Sequence, residues 1–308
     1  LKLRLLLLGA LWCCAQGANA ASSSLRFCDQ PASMSALQQD RLLRLAALVK
    51  EELDGSGATV ALISRSGTDL SRFGLRYSHA GVSLKASDNA PWSVRQLYYA
   101  CDERRPRLYD QGLSGFLFGT DDPAVGYVSI VLPAGDEAAA LERAALDTAR
   151  VLRLLAGTYS ANAYPFSLSY QNCNQWVAEL LATAWGALDD TPDLRARAQR
   201  WLSQRGYEPA AINVSHWQMV VEPFVPLVHL DDHPQEDVQR LRVRTSLPAA
   251  IEAFVHARMP GARRVEMCHD GRMAVIRQGW EPVAPGCRAQ AGDRVVDLDA
   301  DAAPYRTR

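Results

Sequence analysis

The stretch from Tyr170 to Leu181 constrains the fold more than any other part of the chain. From Trp176 on, apolar residues fall at 176/177, 180/181 and 184/185, the rhythm of a helix with one buried face. Asn172 is a good N-cap, Gln175 is placed to complete a variant of the capping box, and Gly186 stands where a C-cap glycine belongs. Cys173 then takes the first helical position. The free N–H groups and the positive dipole end there favour its thiolate, and the same N–H groups suit an oxyanion forming beside the sulfur. Taken alone, Cys173 is more simply a buried structural cysteine. A histidine far upstream changes that balance.

Composition is that of an ordinary globular chain: 308 residues, 48% hydrophobic and 22% charged, with a formal net charge of -1. No basic run points to nucleic acid. Lys2 and Arg4, the apolar run Leu5 to Cys14, and Ala18-Asn19-Ala20 together read as a secretory leader over residues 1–20. No later stretch reads as a transmembrane helix, so an exported, periplasmic or extracellular protein is expected. Of the seven cysteines, two fall in the leader, leaving Cys28, Cys101, Cys173, Cys268 and Cys287. In an oxidising compartment four of these can pair. Proximity suggests Cys268 with Cys287, and elimination then leaves Cys28 with Cys101, although other connectivities stay open. Cys173 is the candidate free thiol.

In chain order, Ser35 to Leu53 has helical periodicity and Thr59 to Ile63 reads as a short buried strand. Along Leu75 to Leu84, strand alternation puts Ala80, Val82 and Leu84 on one face and Tyr77, His79, Gly81 and Ser83 on the other. Gly81 beside His79 is expected to leave room for a group approaching the ring. Pro91 to Ala100 reads as the next strand, and a hairpin between the two brings Gln96 or a residue one step away beside His79. Gln96 is the uncharged candidate to hold the imidazole in one tautomer, with Asp102, past the strand end, the alternative. Tyr109–Phe118 and Val125–Leu132 read as strands. Asp136 is expected to cap one long helix to about Leu155. Tyr159, Tyr164 and Phe166 lie in a loop before the cysteine helix, and Tyr164, Tyr170 and Trp176 are expected to line a pocket around the sulfur. Leu194–Arg205 and residues 247–258 read as helices, and Val265–Cys268 with Met273–Gln278 as a hairpin. His229 and His233 have metal-like spacing, but Pro234 with Pro223 and Pro226 argues against the helix that would bring them together. No metal or other cofactor is called for, and nothing sets an oligomeric state.

Ser78-His79-Ala80-Gly81-Val82 followed much later by Asn172-Cys173 resembles the circularly permuted branch of the NlpC-type, papain-like cysteine enzymes, which includes the lecithin:retinol acyltransferase-like proteins. The whole chain looks most similar to an uncharacterised bacterial family, domain-of-unknown-function family 2145. That likeness runs from about Cys28 to Cys287, including Arg277-Gln278-Gly279-Trp280 and Gly286-Cys287. Gln96 departs from the histidine or acid common at the third position of related groups. The resemblance implies an α+β fold whose antiparallel sheet packs on the nucleophile helix. It divides the chain into a leader over 1–20, a core over 21–206, an extension over 207–288 and a poorly packed tail over 289–308. It also implies Cys173 as nucleophile, His79 as general base and acid, and Gln96 as its orienting partner, acting on an acyl or peptide substrate. A non-catalytic envelope binding module is the rival reading.

Overall fold

The computed structural model describes residues 33–300; the leader expected over 1–20, Cys28, and residues 301–308 lie outside the described residues. Val60–Arg65 (β1) is buried at every position, the pattern of a strand covered on both faces. It pairs antiparallel with β2 (His79–Leu84) on one side and β5 (Gly126–Leu132) on the other. β3 (Ser93–Ala100) and β4 (Arg105–Gln111) continue the sheet past β2. β8 (Arg263–His269), β9 (Met273–Gln278) and β10 (Arg294–Asp297) continue it past β5, in the order β10-β9-β8-β5-β1-β2-β3-β4. β6 (Ala210–Asn213) and β7 (Arg242–Thr245) make a separate two-stranded sheet.

Alternation divides the core between the two faces of the large sheet. Val60, Leu62, Ala80, Val82, Leu84 and Leu97 meet a helical layer of α3 (Gly135–Leu146), α4 (Thr148–Arg153), α5 (Cys173–Trp185), α6 (Leu194–Gln204) and α9 (Pro248–Arg258). Ala61, Ile63, Trp92, Val94, Ile130 and Met267 meet α1 (Ala36–Gly55) and α2 (Leu113–Phe118). The short helices α7 (His216–Val221) and α8 (Gln235–Gln239) lie between the two strands of the small sheet in sequence. The architecture is mixed α+β, with a large antiparallel sheet between helices.

The first helix starts as its sequence predicts: Ser35 accepts from the Gln38 N–H while the Gln38 side chain returns to the Ser35 N–H. Elsewhere local chemistry overrides the expected pattern. The strand expected over Tyr109–Phe118 stops at Gln111. After Gly112, Leu113, Phe116 and Leu117 bury one side of the short helix α2 instead. The long helix expected from Asp136 to Leu155 is two helices. Asp147 ends α3 in an extended conformation and caps α4, its side chain accepting from the Arg150 N–H. Asp136 lies in the first turn rather than at the cap, which is Ala134.

The hairpin expected near Asp270-Gly271 forms as β8 and β9, and Cys268 and Cys287 are bonded. The tail is not loose over β10: Val295 pairs with Val275, Val296 with Ala274, and Leu298 is buried. Among the described residues, no helix is long and apolar enough to cross a membrane.

Candidate active site

Local chemistry fixes the start of α5. Asn172 Oδ1 accepts from the Gln175 N–H at 2.7 Å, so the N-cap forms as expected. The reciprocal half of the capping box does not. The Gln175 amide turns instead to Glu179, 3.1 Å away. Glu179 is fully buried and bonded by Gln171, Gln175, Gln199 and Arg195. A buried carboxylate is stable only when its lone pairs are met in this way, and the network pins the first two turns of α5. Asn172 Nδ2 is committed to Ala161 O, Thr245 Oγ1 and Ser246 O. The asparagine is therefore a cap and a tether. The donors left facing an oxyanion are backbone N–H groups.

β2 offers the opposite wall. Its ladder with β3 runs only from Leu84↔Ser93 to Val82↔Arg95, while β3 stays paired with β4 as far as Ala100. Backbone pairing stops beyond that point, and the first turn of α5 reaches the end of β2 beside this opening in the ladder. Asn174 Nδ2 donates to Ser78 O at 3.0 Å, and Cys173 Sγ lies 4.0 Å from the same oxygen. The N–H groups of Asn174, Ala80 and Cys173 itself all act on the sulfur.

His79 belongs to the same opening. Its ring leaves β2 on the α2 side, stacked on Tyr98 at 4.5 Å and 6.0 Å from Phe116. Nε2 lies 2.8 Å from Gln96 Oε1. The Gln96 amide in turn donates to Gln111 Oε1 at 2.7 Å, which directs its oxygen at the imidazole. An amide oxygen only accepts, so Nε2 carries the proton and Nδ1 is the basic nitrogen. Sulfur and imidazole thus flank one peptide segment from two sides. Among the described residues, no hydrogen bond joins them.

Cys173 is a free, buried thiol. Burial pushes its pKa up to about 11, against the pull of the surrounding N–H groups and of Arg65. The thiolate expected from helix position alone is therefore not the resting form, because desolvation outweighs the helix end. Burial likewise lowers His79 to about 3, Arg65 acting in the same sense and the Gln96 bond against it. At neutral pH the site holds a neutral thiol and a neutral imidazole.

Several expected neighbours stand elsewhere. Trp176 is core, its Nε1 donating to Val151 O. Tyr164 packs on Phe166 and His233, and Tyr170 stacks on His229. The partly buried rings of Tyr159 and Tyr99 pack together at 5.5 Å. Burial raises the Tyr159 phenol well above its ordinary value and the nearby Cys173 sulfur adds to that, so Tyr159 borders the site. Gly81 does not open space beside the ring. A Cβ there would meet Val94 Cγ1 at 2.5 Å and Arg95 O at 2.9 Å, so the glycine permits close packing of β2 on β3. Cys101 is disulfide-bonded. Among the described residues, no group of three His, Cys, Asp or Glu side chains could hold a metal.

A family profile described as an uncharacterised protein conserved in bacteria (DUF2145) matches residues 52–255. The chain belongs to the DUF2145 family. The matched span holds His79, Gln96 and Cys173 and ends before Cys268 and Cys287, so it is narrower than the likeness expected from Cys28 to Cys287. No curated protein and no solved structure matches the chain.

Proposed function

We propose that this DUF2145 protein is an exported thiol hydrolase or acyltransferase on a permuted papain-like core, acting on an amide or ester. The observation that supports this most is the His79–Gln96 bond beside a free cysteine at a capped helix start. It fixes the imidazole tautomer that general-base chemistry on sulfur needs. As Cys173 Sγ attacks the carbonyl carbon, the thiol proton passes to His79 Nδ1 and the carbonyl π pair moves to oxygen. Backbone N–H groups at the start of α5 receive that oxyanion. Collapse expels the leaving group, which takes the proton from His79 and leaves an acyl group on Cys173. Water or an acceptor alcohol or amine then attacks the acyl carbon as it gives up a proton to His79, the carbon–sulfur bond breaks, and His79 returns that proton to Cys173 Sγ. Because both resting groups are neutral, proton transfer accompanies attack. For this transfer the sulfur and imidazole, which flank one peptide segment in the free protein, come within reach of each other as substrate enters the opening, since catalytic contacts often form only in the occupied site. For an exported enzyme the amides of cell-wall stem peptides are the leading substrate, with lipid esters second.

One observation favours a different reading. Cys173 is only 6% exposed and its thiol is pushed up to about 11, which suits an inert cysteine in a non-catalytic envelope binding module. Thiol titration of the native, oxidised protein separates the two. The enzyme gives one alkylatable thiol at Cys173 whose reaction slows in His79→Ala. The binding module gives none until it unfolds.

A further inference from the structure

Arg65 ends β1 directly across from His79 in the strand register, and it is 3% exposed. Its guanidinium donates to the Ser66 and Gly119 carbonyls and to the Tyr98 hydroxyl. It also lies 5.2 Å from the centre of the Phe116 ring. Every one of these partners is neutral, and Nε is buried with no partner at all. Among the described residues no carboxylate pairs with it. Space has been left for it as well: a Cβ on Gly67 would fall 2.6 Å from Nη1, and one on Gly119 would collide with Nη2.

A buried cation without an anion is costly, and such groups gather where negative charge appears in the working state. The surroundings of Arg65 identify that place. Tyr98, which takes its hydrogen bond, stacks on the His79 ring, and the same guanidinium lowers both His79 and the Cys173 thiol. Among the described residues, the phenols of Tyr98 on β3 and Tyr159 in the loop also face the opening. α2 carries no charged residue, and the first turn of α5 no acid.

We infer that Arg65 is a positioning residue that places a standing positive charge beside His79 and the anion formed at Cys173. This rests on the thiol chemistry proposed above. Arg65 itself makes and breaks no bond.

The test uses the full oxidised protein as wild type, Arg65→Gln and Arg65→Lys. The His79 ring is titrated by NMR, and iodoacetamide alkylation of Cys173 at fixed pH is followed by mass. In Arg65→Gln the imidazole pKa rises by about one unit or more, and alkylation slows about tenfold, the equivalent of one pH unit in thiol ionisation. Arg65→Lys stays near wild type in both. An unchanged His79 titration in Arg65→Gln, or Lys behaving as Gln does, overturns the inference. If Arg65→Gln does not fold, wild type decides through iodoacetate. Relative to iodoacetamide, this anionic reagent should gain about tenfold over its ratio with free glutathione, and no gain overturns the inference. A wild-type Cys173 inert to both reagents contradicts the proposed chemistry instead, and the His79 titrations still decide the role of Arg65.

Discussion

His79 Nε2 and Gln96 Oε1 meet at 2.8 Å across the opening between β2 and β3, where backbone pairing has already ended. The bond joins two strands by side chains at the point where the ladder no longer does. It also assigns Nδ1 as the base. Gln96→Leu removes the acceptor and leaves a buried ring N–H unpaired, so acyl transfer should fall about tenfold to a hundredfold. Gln96→Glu places a carboxylate beside Nε2 and should raise the His79 pKa. Steady-state rates and ring NMR check the two effects.

Gly81→Ala tests how tightly β2 sits on β3. The new methyl meets Val94 Cγ1 at 2.5 Å and, less forgivingly, the backbone oxygen of Arg95 at 2.9 Å. A loss of about 1–3 kcal/mol is expected, as for other overpacked cores. Chemical denaturation measures it, and a neutral outcome would show that the strands can separate there at little cost.

Acid should weaken the fold through its buried histidines. Burial lowers His79 to about 3 and His269 to about 4, both below the ordinary value near 6.5. Between those values the unfolded chain takes up protons that the native protein does not, so stability rises with pH across this window. It is complete above about pH 6.5 and declines toward pH 4. At pH 5 each ring accounts for about 2 kcal/mol of the loss. His79→Gln should flatten the decline by that amount in denaturation series at pH 5 and pH 7.

The start of α5 was legible because its signals are local: Asn172 caps the helix, Cys173 follows, and the apolar rhythm runs on from Trp176. His79 and Gln96 were legible as candidate partners because strand alternation in a hairpin puts them within a residue of each other, while the connection from Leu84 to Ser93 is too long to fix the register. What escaped the sequence depends on surroundings. The thiol pKa follows from desolvation by residues distant in the chain. Gly81 looks like open space until Val94 and the Arg95 carbonyl stand opposite it. Arg65 reads as the polar end of a strand, and only the folded chain shows that its partners are all neutral. Gln175 and Glu179 did leave a trace, two polar residues four apart on an otherwise apolar helix, with Gln171 four residues earlier, but the spacing alone does not tell a buried network from an exposed face.

Cys173 is expected to accept an acyl group with His79 as its base. Native oxidised protein incubated with an activated ester or a muropeptide library, then digested and weighed, tests it most directly. An acyl mass increment should appear on the peptide carrying Cys173, be released over time by water or an acceptor, and form about 10²–10⁴ times more slowly in His79→Ala. No increment on that peptide, or one that forms equally fast without His79, contradicts it.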